Sequence, residues 1–265
     1  MTEQTCARSH CTYEREGLTL AYSIFGEGHP IVFVHGATAT GEFEWDRLAK
    51  RLASHYRCIL PDLRGHGGSD MGKDMTSEAI CADLLHLVDD LGLDKPHIVG
   101  FSYGAEASLR LELMAPGTAR SLVLISPGTG RPDDYRAPAL DHLHQTWPLA
   151  LRRLHETRHG PDHWRRLVTA LHEDSVGRAE LSDDTLAGVE CPVLLMAGAR
   201  DERTRRHQGR RFAQVKADAT YVEIEGAAHA AHHESLDKVA LIVGDFLSEV
   251  EAGIGKGRHG ATEGG

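Results

Sequence analysis

Ser102 lies in Gly100-Phe101-Ser102-Tyr103-Gly104, behind the apolar run His97-Ile98-Val99 and directly ahead of the helical stretch Ala105 to Leu111. A serine hydroxyl becomes a useful nucleophile when a base takes its proton and N–H dipoles stabilise the anion formed on the attacked carbonyl. A sharp strand-to-helix turn supplies part of this. It forces the serine into a strained backbone conformation, pushes the hydroxyl out of the sheet, and aims the first amides of the following helix at the same spot. Gly100 and Gly104, two residues to either side, leave room for neighbouring chains to pass closely. The competing reading, an ordinary Gly/Ser loop, is disfavoured by the strand before and the helix after.

A serine nucleophile needs a base, and the base needs an acid to orient it. The apolar run Val193 to Ala197 ends at Gly198-Ala199-Arg200-Asp201, and Thr220 to Ile224 ends at Glu225-Gly226-Ala227-Ala228-His229. Both candidates therefore leave the same edge of a parallel sheet as Ser102. The chain has 18 histidines, so the choice rests on placement. His229 follows a strand and a loop of small residues, which lets its ring swing over the serine; His232 and His233 fall in what reads as the next helix. For the acid, Asp201 competes with Asp133 and Asp134, which follow an earlier strand.

The elements that must position these groups alternate between β-branched runs and helical periodicity, the pattern of a mostly parallel sheet with crossover helices. Strands are expected at Leu18 to Phe25, Ile31 to Val34 and Arg57 to Leu60. Apolar residues at Ile80, Leu84, Leu87, Val88 and Leu91 predict a helix over 77–91. Pro61 to Asp70 is too rich in glycine to be helical. Between the strands Leu122 to Ile125 and Val193 to Ala197 lies a long stretch with no strand-like run, so residues 131–188 are expected to form a helical insertion between core segments 1–130 and 189–251. Helices are expected over 203–215 and 235–250, and the glycine-rich residues 252–265 are expected to be a disordered tail.

Lys plus Arg is 29 against Asp plus Glu at 39, a net charge of −10, which opposes nucleic acid or an anionic membrane surface as a general partner. Five cysteines are an odd number for a disulfide framework, and the expected state is reduced, with Cys6 and Cys11 a possible pair. Met1 to His10 carries no apolar run of the secretory kind, no stretch approaches a membrane span, and the expected location is cytoplasmic.

With these pieces in place, the chain resembles the α/β-hydrolase superfamily, in particular its small cap-bearing esterase, lactonase and carbon–carbon hydrolase branch. The resemblance rests on His35-Gly36, Trp45, Pro61-Asp62-Leu63-Arg64-Gly65-His66-Gly67-Gly68-Ser69, the serine turn, Cys191-Pro192-Val193-Leu194, Asp201, and Ala228-His229 with Glu234 behind. The order Ser, Asp, His is that of this superfamily, not of chymotrypsin-like or subtilisin-like proteins. Ala105 and Ala228 depart from it, standing where glycine is frequent. The resemblance implies a mostly parallel eight-stranded sheet with helices on both faces and a helical cap over the site. It also implies oxyanion-stabilising amides at Ala37, after His35-Gly36, and at Tyr103, after the nucleophile.

The expected function is a serine hydrolase of esters, lactones or related carbonyl bonds of a small molecule. Carbon–carbon hydrolysis, cofactor-free lyase or cyclase chemistry, and ligand reception with little turnover are the alternatives on the same scaffold. No metal or cofactor is needed for that chemistry, and the protein is expected to be a monomer or homodimer. Trp147 and Trp164, in the insertion, are candidate substrate contacts. Arg152, Arg153, Arg165 and Arg166 are weaker candidates for meeting a substrate carboxylate.

Overall fold

Successive side chains of a strand point to opposite faces, so the uninterrupted apolar runs of this chain must feed two cores. The computed structural model describes residues 7–130 and 138–253, and in it eight strands form one sheet in the order β1-β2-β4-β3-β5-β6-β7-β8. They are β1 (Ser9–Arg15), β2 (Leu18–Phe25), β3 (His29–Val34), β4 (Tyr56–Pro61), β5 (His97–Phe101), β6 (Ser121–Ile125), β7 (Val193–Gly198) and β8 (Ala219–Ile224). On one face, Val32, Val34, Ile98, Leu122, Leu124, Val193 and Leu195 join side chains from α2 (Ser77–Asp90), α3 (Tyr103–Met114) and α9 (Arg203–Val215). On the other, Ile31, Phe33, Val99, Val123, Ile125, Leu194 and Met196 join Trp45, Leu48 and Leu52 of α1 (Gly41–Leu52) and Val239, Val243 and Leu247 of α11 (Leu236–Glu251).

Strands β3 to β8 pair parallel, whereas β1 and β2 pair antiparallel. The strand β1 lies outside the sequence expectation. Of its residues only Tyr13 is buried, so it carries almost no apolar alternation. The local signal was its turn: Glu16 and Gly17, both at left-handed φ of 53° and 77°, join β1 to β2 as a two-residue hairpin loop.

From β3 the chain crosses to β4 on one side and then returns to β5 on the other, so the order of strand addition reverses between β3 and β5 while the strands stay parallel. In open parallel sheets the crevice beyond the strand ends at such a reversal is where ligands bind. His35 to Thr38 leave β3 there, and Ser102 leaves β5 there.

Between β6 and β7 the described residues form five helices, α4 (Leu140–Thr146), α5 (Leu149–Arg153), α6 (Glu156–His159), α7 (His163–Val176) and α8 (Asp183–Ala187). The start of this segment, with Asp133 and Asp134, lies outside the described residues, as do Cys6 and most of the expected C-terminal tail. Cys11, Cys58, Cys81 and Cys191 are free thiols. No helix among the described residues is long and apolar enough to cross a membrane.

Helix α3 presses against β3 at Gly104. A Cβ there would stand 2.2 Å from Val34 O and 2.4 Å from His35 O, contacts that backbone cannot yield. Gly104→Ala is therefore expected to destabilise the fold by about 1–3 kcal/mol or more, read as a lower urea midpoint at unchanged slope; an unaltered midpoint would mean that β3 and α3 have slack.

Candidate active site

The three residues singled out in the sequence meet at the carboxyl edge of the sheet. His229 Nε2 lies 3.1 Å from Ser102 Oγ, and His229 Nδ1 lies 2.9 Å from Asp201 Oδ1. Ser102 occupies the turn between β5 and α3 at φ 53° and ψ −111°, outside the regions a non-glycine residue prefers. The conformation is held because Ser102 N donates to Ile125 O at 2.9 Å and because glycine admits the crossing chains. A Cβ on Gly100 would meet Gly104 O at 2.5 Å.

Asp201, whose side chain is fully buried, follows β7; His229, 42% exposed at its side chain, follows β8. Asp201 Oδ1 also accepts from Glu202 N at 2.7 Å. Burial raises the Asp201 carboxyl, but the hydrogen bond and charge of His229 outweigh it and hold the group below the usual carboxylate range. Asp201 is thus an anion facing Nδ1–H, which leaves Nε2 as the acceptor turned to the serine. Ser126, at the end of β6, donates to His229 O at 2.7 Å. The ring of Phe101 supports His229 at a centroid distance of 5.0 Å.

The loop after β3 is fixed peptide by peptide. Gly36 O accepts from His35 Nδ1 at 2.8 Å and from Ala39 N at 3.3 Å. A trans peptide carries its N–H opposite its C=O, so the Ala37 N–H of the same plane is turned away from both partners. Gly36 N donates to Glu44 Oε2 at 3.3 Å. Tyr103 is the first residue of α3, where backbone N–H groups have no intrahelical acceptor.

Glu44 escaped the sequence reading although it adjoins Trp45. Its Oε1 accepts from His232 Nε2 at 2.8 Å and from His233 Nε2 at 2.9 Å, so one carboxylate ties the β3 loop to α10 (Ala231–Glu234), the helix just beyond His229. Burial works against its charge, yet the two histidine bonds prevail and bring Glu44 down to about 2. Burial pushes His232 down as well, the Glu44 carboxylate only partly opposing it, so a neutral ring donates to an anion. Among the described residues these three side chains form the one group with metal-type ligand atoms within 4.8 Å of one another; those atoms are already in direct hydrogen-bond contact.

The glycine-rich loop Pro61 to Asp70 is held by its own side chains, to itself and to α1 and α2. Asp62 accepts from Gly41 N at 2.8 Å and Gly68 N at 2.9 Å, and Arg64 forms two 2.6 Å bonds to the Asp83 carboxylate. The insertion seats on this loop through histidines that the sequence did not distinguish from the rest. His159 Nε2 donates to Ser69 O at 3.0 Å, and His163 Nε2 donates to Gly65 O at 2.7 Å. His155 accepts from Gly67 N at 2.9 Å through Nδ1 and donates to Thr38 O at 2.9 Å through Nε2. Helix α7 also reaches the serine turn, since Tyr103 OH donates to Asp174 Oδ2 at 3.4 Å.

Trp164, expected at the substrate, is 5% exposed. The guanidinium carbons of Arg152 and Arg165 lie 4.3 and 4.6 Å from its ring centroid, and His144 meets its edge. The indole is enclosed within the insertion by cation–π contacts, and the same contacts occupy two of the arginines considered for a carboxylate. Arg166 donates to His163 Nδ1 at 3.3 Å. Trp147 is half-buried at the end of α4 and accepts from Arg152 through its carbonyl at 2.8 Å.

A sequence profile of the alpha/beta hydrolase family matches residues 31–240, and the chain belongs to that family. It is 29% identical over 250 residues to N-formylmaleamate deformylase of Pseudomonas putida, with 84% of this chain and 90% of the relative covered. It is 28% identical over 266 residues to 2-hydroxy-6-oxononadienedioate/2-hydroxy-6-oxononatrienedioate hydrolase 1 of Dechloromonas aromatica, covering 87% and 91%. The fold superposes on the crystal structure of a serine hydrolase involved in carbazole degradation with a TM-score of 0.77 at 22% identity, covering 91% of this chain and 99% of that one.

Several buried rings have their tautomer dictated by fixed backbone partners. His35 donates through Nδ1 and accepts Leu63 N through Nε2, His66 donates to Arg64 O and accepts Thr38 N, and His155 donates and accepts as above. Each bond pair requires a neutral imidazole. Burial lowers all three, His155 from 6.5 to about 4. Between those two values the unfolded chain binds protons that the folded chain refuses, so stability rises with pH through this window and levels off above it. The thermal midpoint is therefore expected to be several degrees lower at pH 5 than at pH 7.5; equal midpoints would show that these rings do not fold neutral.

Proposed function

We propose that this protein is a serine hydrolase acting on an ester, lactone or related carbonyl bond of a small molecule through an acyl-enzyme. The observation that carries the reading is the continuous hydrogen-bonded line Ser102, His229, Asp201. His229 takes the Ser102 proton as Oγ attacks the carbonyl carbon, and Asp201 holds the ring and stabilises the imidazolium. The Ala37 and Tyr103 amides stabilise the oxyanion. His229 then returns the proton to the leaving group, and water, deprotonated by the same ring, releases the acid and restores the serine. Every proton-transfer and charge-stabilising step uses groups that the chain itself supplies.

Residues 131–188 act in this reading as a cap over the site. Its seating on the Pro61 to Asp70 loop and on α3 supports that role, because a cover at the crevice excludes water and limits which acyl groups fit. The names of the relatives favour small polar acids as substrates, and the dienedioate hydrolase supports a second reading, cleavage of a carbon–carbon bond in a ketonic acid by the same three residues.

Turnover of p-nitrophenyl esters, lactones and dienone acids by wild type and Ser102→Ala tests the proposal and separates the two readings. Ser102→Ala should lower kcat by about 10⁴-fold or more, and a fluorophosphonate should label Ser102 alone. His229→Ala should lose turnover as completely. Asp201→Asn should cost on the order of 10⁴-fold, since it favours the wrong ring tautomer. Labelling at another serine, or activity surviving in Ser102→Ala, would overturn the mechanism.

A further inference from the structure

Thr38 follows the proposed oxyanion donor Ala37 and adopts a left-handed φ of 58°, a conformation that a β-branched residue does not choose for itself. Its side chain does not explain the conformation, since Thr38 Oγ1 is buried without a hydrogen-bond partner. Two histidine rings hold its main chain instead. Thr38 N donates to His66 Nε2 at 3.3 Å, and Thr38 O accepts from His155 Nε2 at 2.9 Å. The first bond fixes the plane of the peptide that joins Ala37 to Thr38. The second fixes the next plane along the chain.

The two rings come from different parts of the molecule. His66 belongs to the glycine-rich loop of the core, whereas His155, 1% exposed, belongs to the insertion between β6 and β7. They meet edge to face at a centroid distance of 5.5 Å and an interplanar angle of 82°. His155 is also locked from its other side, because Gly67 N donates to Nδ1 at 2.9 Å. With one nitrogen accepting and the other donating, the ring has a single neutral tautomer and a single orientation that satisfy both partners. Any displacement of the insertion from the loop pulls that donor away from Thr38 O.

We propose that His155 is a positioning residue for the oxyanion-forming loop, through which the seated insertion sets the orientation of the Ala37 amide and so makes turnover depend on the insertion being docked. The inference rests on the serine-hydrolase reading above, in which the Ala37 N–H receives the oxyanion. The hydrogen bonds of His155 go to Gly67 and Thr38, and it acts on the rate through Thr38. A residue of this kind changes kcat on every acyl group alike, whereas a pocket-lining residue changes KM and sorts substrates by length.

The two bonds of His155 can be separated by amides of matching reach. Gln at 155 places a donor near the position of Nε2 and so keeps the contact with Thr38 O, whereas Asn places an acceptor near Nδ1 and keeps only Gly67 N. Steady-state kinetics on p-nitrophenyl acetate and p-nitrophenyl butyrate should give His155→Gln a kcat within about threefold of wild type. His155→Asn and His155→Ala should fall about tenfold or more on both esters, with KM changed less than about threefold. Equal kcat in the Gln and Asn variants, a loss confined to one ester, or failure of the Gln and Asn variants to fold would overturn the positioning role and leave His155 as a packing residue. Ser102→Ala measured beside them keeps the two proposals apart: if it retains activity the mechanism itself falls, and if it is inactive while His155→Asn turns over like wild type, only the inference about His155 falls.

Discussion

The turn at Ser102 is the constraint on which the rest of the site depends. A non-glycine residue at φ 53° and ψ −111° persists only where its surroundings allow nothing else. Here the surroundings are backbone: α3 lies so close to the end of β3 that position 104 has no space for a methyl group. That closeness sets the start of α3 against the end of β3 and the loop that leaves it, at the reversal in strand order where open parallel sheets bind their ligands. The hydroxyl emerges there because the peptide planes around it are pinned, Ser102 N to β6 among them. Side chains then arrive from β7 and β8 to complete the line to Asp201.

Two further residues at the same edge show the same signature. Of the five non-glycine residues with positive φ among the described residues, Thr38, Ser102 and Ser126 follow the ends of β3, β5 and β6, while Glu16 and Lys95 lie in connecting turns. Conformations of this type cost on the order of 1–3 kcal/mol each, and the fold offsets them with hydrogen bonds that would be lost in any relaxed alternative. Ser126 holds the His229 carbonyl, and Thr38 is held at both ends of its main chain. Positive φ at non-glycine residues is thus concentrated after three adjacent parallel strands at the edge that carries the candidate chemistry, whereas Gly65, Gly67 and Gly226 take such angles after β4 and β8.

The legible part of this architecture was the part written as local pattern. Apolar runs of β-branched and leucine residues marked the parallel strands, and β2 runs over Leu18–Phe25 as its alternation predicts. Ser102, Asp201 and His229 were legible because each stands just past such a run, so chain order alone brought them to one edge. The strand β1 was hidden because it buries only Tyr13 and reads as a polar segment. The stacking of Trp164 was hidden for a related reason: an indole among arginines can face a ligand or stack with those arginines, and composition does not distinguish the two. The contacts of Glu44, His155 and Thr38 depend on chain segments far apart, as when His155 meets Thr38 across 117 positions, and no periodicity encodes that.

Histidine abundance, which made the catalytic base hard to choose, has a structural use of its own. A neutral imidazole offers one donor and one acceptor about opposite ends of a rigid ring, so it can bridge two backbone groups that a hydroxyl is too short to span and that a lysine or arginine, having no acceptor, cannot satisfy. Rings of His35, His66, His155, His163 and His159 follow one another in contact from the loop after β3 into α7 and α6, the last two stacked at 3.9 Å. The glycine-rich loop offers them backbone carbonyls at Gly65 and Ser69 and a backbone amide at Gly67, so a surface that binds these groups must bring both polarities itself. Burial keeps these rings uncharged, which removes the desolvation cost that a cationic linker would carry into the same crevice. In the proposed mechanism it also leaves the Asp201–His229 pair as the place where a positive ring would develop next to Ser102, since a neighbouring imidazolium would oppose that proton transfer.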